Sequence, residues 1–119
     1  MSEQIKQLEM SIDEAKELIA LGESIERLYK NKDFKKVILE GYFKDEAVRL
    51  VMSKSNPMLL QGSPTMKSDD IQRDLDRMIF SIGFLQQFFF TRLQFADQAK
   101  KALADSESML EELRNEPQD

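Results

Sequence analysis

From Asp69 to Asn115 nothing in the sequence stops a helix. No proline occurs in that stretch, Gly83 is its one helix-weakening glycine, and Asn115-Glu116-Pro117 reads as an end. Ser68 offers an N-cap, and Asp69 and Asp70 are placed to favour the positive end of the helix dipole. At 1.5 Å per residue a helix over 69–115 is about 70 Å long, whereas a compact ball of 119 residues has a radius of gyration of about 14 Å. Such a helix must project or pair along its length, so an elongated molecule is expected.

The apolar pattern says what it pairs with. Ile71, Leu75, Met78, Ile82, Leu85, Phe89, Arg92, Ala96, Ala99, Leu103, Ser106, Leu110 and Leu113 alternate steps of three and four residues, a heptad seam whose only polar members are Arg92 and Ser106. A second amphipathic stretch, with Ile5, Leu8, Ile12, Ala15, Leu18, Ile19, Leu21, Ile25 and Leu28 recurring at three- and four-residue steps, predicts a first helix over 3–30. Gly22 costs that helix about 1 kcal/mol relative to alanine, which marks a close approach by another segment. The two seams suit an antiparallel hairpin within one chain; the alternative is a seam shared between chains.

Between the long helices lies an elbow. Asn31-Lys32-Asp33 supplies turn and cap, Phe34, Val37, Ile38 and Tyr42 fall on one face of a short helix over 33–41, and Gly41 is expected to end it. A second short helix, 44–54, carries Ala47, Val48, Leu50, Val51 and Met52 and runs out before Pro57, which disfavours helical geometry in Asn56. Glu46 and Arg49 are placed to form an i,i+3 pair. A loop over 55–68 follows, in which Met58, Leu59 and Leu60 are expected to pack. The expected fold is therefore all-α, a single domain over 1–119 built as an elongated antiparallel helical hairpin with a short two-helix elbow.

Composition then narrows the function. Cysteine, histidine and tryptophan are absent. That removes Ser-His-Asp and Cys-His nucleophiles, the usual zinc ligands, His- or Cys-held haem and thiolate clusters. Carboxylate or Lys/Tyr chemistry survives in principle, but neither has a motif here, so no catalytic residue, cofactor or metal is expected. Asp69, Asp70, Asp74 and Asp76 lack the alternating ligands, central glycine and closing glutamate of a calcium loop and read as helix-start acids. The polar, acidic start has no apolar run, so a secretory signal is not expected, and the most apolar window, 78–90, is too short to span a membrane.

Charge points away from nucleic acid. The chain carries 22 acidic against 17 basic side chains, a formal −5, and its one basic run is Arg27, Lys30, Lys32, Lys35 and Lys36 with Tyr29 and Phe34 interleaved. Those residues could touch phosphates and stack bases, or be solvated lysines around a turn whose rings anchor the core; the second reading is preferred. The acidic stretch 107–119 reads as a solvated end. Arg92 on the seam sets register by pairing with Glu14 or Glu17, or reaches out to solvent.

The chain's investment is apolar surface. Ile79, Phe80, Phe84, Phe88, Phe90 and Phe95 lie off the seam, so the helix becomes apolar all round near Met78. The elbow can cover part of that surface, and the remainder, Phe80, Phe84, Phe88, Phe90 and Phe95, is the expected interaction site, taking a second copy or a larger assembly.

The elbow also carries a resemblance. Leu28, Asn31, Asp33, Phe34, Ile38, Gly41, Tyr42 and Phe43 form an L-x-x-N-x-D-F-x-x-x-I-x-x-G-Y-F pattern. Asp45-Glu46-Ala47-Val48-Arg49-Leu50-Val51 follows it, and the long helix opens with Asp70-Ile71-Gln72-Arg73. Along nearly its whole length the chain resembles a family of small helical proteins widespread in tailed-bacteriophage genomes and found among head and structural genes. The resemblance implies a virion structural or assembly role, in the virion or the host cytoplasm, with head or portal proteins or further copies as partners. The alternative is a phage-encoded regulator or inhibitor of a host protein or nucleic acid. Within the motif, Asn31 and Asp33 supply turn and cap, Phe34 and Tyr42 fill the elbow, and Gly41 holds a backbone that a side chain would resist.

Overall fold

The computed structural model describes residues 2–116, including every side chain there except those of Ser2 and Leu60. About 89% of the described structure is helical, and among the described residues there is no strand. The elements are α1 (Ser2–Lys30), α2 (Lys32–Phe34), a π-helical segment (Lys35–Glu46), α3 (Ala47–Lys54), α4 (Pro57–Leu60) and α5 (Ser68–Arg114). The contacts divide the chain into two compact units. One joins residues up to Arg27 with those from Phe90 onward, and the other spans Leu28–Phe89.

The first unit is an antiparallel helix pair. Glu9, near the start of α1, accepts a hydrogen bond from Arg114 Nη2 at 2.9 Å, while Gly22 of α1 lies against Ala96. Ile12, Ala15, Gly22 and Ile25 are buried from α1, and Ala96, Ala99 and Leu110 from α5. Small residues at the contact let the backbones approach closely. A methyl group added at Gly22 would overlap the Ala96 Cβ, which is the close approach that its place in a helix interior implies.

The second unit packs the elbow on the first part of α5. Leu50, only 1% exposed, forms a core with Leu75 and Ile82, against which Tyr42, Phe43, Ala47, Ile71 and Ile79 pack. A ring cluster adjoins it, with Tyr29, Phe34, Phe43 and Phe88 around Phe89 at centroid separations of 5.9 to 6.1 Å. Among the seam positions of α5, Met78 alone is exposed, at 49%, and it borders an open pocket with Tyr42, Glu46, Leu50 and Ser81.

The elbow departs from its expected form. In place of helices over 33–41 and 44–54, the backbone is helical without interruption from Lys32 to Lys54, and Gly41 sits inside the π-helical segment instead of ending a helix. A π-helix bonds i to i+5 and so has wider turns. Phe34, Ile38, Phe43, Ala47 and Leu50 can then share one side despite spacing that breaks an α-helical phase. Gly41 has no unusual backbone angle; a Cβ there would lie 3.1 Å from the Lys36 carbonyl oxygen, which is why a side chain is resisted.

The elbow starts at Asn31, whose extended backbone stands outside the helix while its Oδ1 accepts the Phe34 N–H at 2.9 Å. Asn31→Ala should cost about 1 kcal/mol, read as a lower urea midpoint with an unchanged slope. Arg49 Nε donates to Glu46 Oε1 at 2.7 Å, the pair expected from their spacing. Asn56 is extended before Pro57 and caps the single turn of α4 through Met58 N–H. Met58 and Leu59, expected to pack, are 78% and 45% exposed, and the Leu60 side chain, expected to pack with them, lies outside the described residues.

Candidate interaction surface

Phe80, Phe84 and Phe88 are spaced four residues apart and so project from one side of α5. Leu75, Ile82 and Phe89 turn to the core from the other side, leaving the three rings 62, 73 and 45% exposed. The Phe80 and Phe84 rings lie 6.4 Å apart, and Phe88 also reaches Phe89 at 5.9 Å. Ile79, equally off the seam, is half-buried because the elbow packs over it. Arg73 and Arg77 precede the rings on the same side and are well exposed. Their charges are loosely held, 3.6 Å from Asp70 and 3.9 Å from Asp74. The result is an apolar row with a cationic approach.

Phe90 and Phe95, expected in the same set, belong to the first unit. Both are exposed there. Phe95 borders a shallow depression of about 260 Å³ with Ser11, Glu14, Leu18 and Gln98. The half-buried Arg92 places its guanidinium over the Phe95 ring, 5.6 Å from the centroid. Two of the alternatives considered for Arg92, Glu14 and Glu17, lie on the opposing helix, and Glu14 is placed alongside Gln98 and Ala99.

The other candidates divide along physical lines. Tyr29 and Phe34 are engaged in the ring cluster, so neither ring stands free to stack on a base. Burial pushes the Tyr29 phenol above its ordinary value. Lys30, Lys32, Lys35 and Lys36 are exposed around the turn. Asp33 is exposed in the first turn of α2, and Tyr42 is half-buried beside Phe43 and the Leu50 core. Of the acids opening α5, Asp70 and Asp74 face arginines and Asp76 pairs with Lys54. Among the described residues no group of three or more acidic side chains is placed to hold a metal ion.

A second apolar surface was not singled out by the sequence. Val48, Val51 and Met52 of α3 are exposed, while Ala47 and Leu50 turn inward. Consecutive apolar residues on a short helix carry no mark of which face will be covered. Among the described residues no helix is long and apolar enough to cross a membrane. In comparisons with protein-family models, curated proteins and solved structures, the chain matches none of them, so the surface is read from its own residues.

Proposed function

We propose that this protein works by helical protein–protein contact, without catalysis, as a structural or head-assembly protein of a tailed bacteriophage. The observation that carries the reading is the row Phe80, Phe84 and Phe88, exposed at 62, 73 and 45% on one side of α5. Exposed apolar area is stabilised by about 25 cal/mol per Å² when covered, so three neighbouring rings favour a partner strongly. The phage setting rests on the elbow pattern from Leu28 to Val51. On this reading the protein works in the virion, or in the host cytoplasm during assembly, against further copies or larger head or portal components.

Mass spectrometry of purified particles is the test. Many copies of the wild-type chain per particle are expected, and Phe84→Asp should be lost from particles while keeping the helical content of the wild type by circular dichroism. A wild-type chain abundant in infected cells but missing from particles would sink the structural role. It would favour the second reading, a regulator or inhibitor binding a host protein or nucleic acid, for which the exposed Lys30, Lys32, Lys35 and Lys36 provide a cationic surface.

A further inference from the structure

The two units differ in charge. The residues up to Arg27 and from Phe90 onward hold 14 acidic against 7 basic side chains, a net of −7, whereas Leu28–Phe89 holds 8 acidic against 10 basic, a net of +2. The cationic side chains include Arg73 and Arg77, which lead into the phenylalanine row on the same side of α5. α1 carries the matching series on the side turned away from its buried Ile12, Ala15 and Gly22. Asp13, Glu17 and Leu21 are spaced four residues apart and exposed, and neither acid has an ion pair among the described residues.

We infer that the Phe80–Phe84–Phe88 row is covered by α1 of a second copy of this chain, with Arg73 and Arg77 facing Asp13 and Glu17 of that copy. This rests on the reading of the row as a docking surface and names its occupant. Both series run from two charges to apolar residues in the same chain direction. A parallel crossing therefore sets cation against anion twice and brings Leu21 between Phe80 and Phe84. The arginines are poorly committed to their own acids, at 3.6 and 3.9 Å, and because exposed pairs of this kind contribute little, the guanidinium groups exchange partners at small cost. The contact joins two different patches, so it is heterologous, and each copy retains one patch of each kind.

Light scattering on the purified full chain decides it, with circular dichroism confirming that each variant stays helical. Arg73→Glu with Arg77→Glu should weaken self-association about tenfold, as should Asp13→Lys with Glu17→Lys, through like-charge contact at the rim. All four changes in one chain should restore association to near the wild-type level. Raising the salt from about 0.05 to about 0.5 M should weaken the wild-type assembly and leave less difference among the variants. A mixture is the sharper test. Phe84→Asp keeps an intact α1 face, and the Asp13→Lys, Glu17→Lys chain keeps an intact α5 face. At a concentration chosen so that each alone is monomeric, the two together should form a heterodimer.

A wild-type chain that remains monomeric at high concentration overturns the inference, while the docking role of the row is still judged separately by the particle experiment. If Phe84→Asp disperses the assembly, yet the charge swaps do nothing and the mixture does not recombine, the rings meet one another and the assigned occupant is wrong.

Discussion

Phe89→Ala should lower the unfolding free energy by about 4 kcal/mol, a large part of the 5 to 15 kcal/mol typical of a domain. The ring is buried, and four other rings, those of Tyr29, Phe34, Phe43 and Phe88, stand around it at close to 6 Å. Three of these come from the end of α1, from α2 and from the π-helical segment, so a single truncation loosens three pieces of chain from α5. The cavity cannot collapse easily, because the neighbours are planar rings already in edge or tilted contact, and edge-to-face pairs contribute beyond their buried area. The control is Phe90→Ala, one residue away and exposed, for which less than about 1 kcal/mol is expected. Urea unfolding followed by circular dichroism separates the two; a Phe89→Ala loss no larger than that of the control would show that the ring cluster does not anchor the elbow.

Gly22→Leu should cost about 3 kcal/mol, and for the opposite reason, excess volume. Glycine inside α1 is locally unfavourable by about 1 kcal/mol relative to alanine, so an exposed site would gain from replacement. Here an added Cβ would overlap the Cβ of Ala96, which is fixed to the α5 backbone and cannot rotate away. The helices must separate, which opens the buried Ala15 of α1 and Ala99 of α5 to water. Gly22→Ala is the informative intermediate. If sterics dominate, it destabilises despite the better propensity, and adding Ala96→Gly returns part of the loss. A coupling of about 1 kcal/mol or more in that double-mutant cycle identifies the contact. Stabilisation by Gly22→Ala alone would mean that the helices do not approach closely at this point.

Much of the fold was legible because it follows from local rules. The helix expected over 69–115 is Ser68–Arg114, and that expected over 3–30 is Ser2–Lys30, since caps, dipole acids and the lack of breakers act within a turn or two. The seam of α5 was equally legible, with Met78 as its one exposed member. Gly22 declared a close approach through its cost alone. The elbow was less legible. Gly41 and a broken apolar phase read as a helix end, but a phase break can also be absorbed by wider turns, and the packing of Phe43, Ala47 and Leu50 favours the latter.

The candidate surface shows the same division. That Phe80, Phe84 and Phe88 lie off the seam is periodicity, readable from spacing. Ile79 is just as far off it, yet the elbow covers Ile79 and leaves Phe80 and Phe84 well exposed and Phe88 exposed in part, against Phe89. Phe90 and Phe95 shared the compositional signal and belong to the other unit.

Residue order alone therefore determined the all-α class, the limits of the two long helices and which side of each is apolar, because a helix is built from bonds between residues four apart. Only the tertiary structure decided which apolar sides stay uncovered and how the elbow keeps its phase. Burial depends on what distant segments bring to a face, and that information is not carried by any short stretch of the chain.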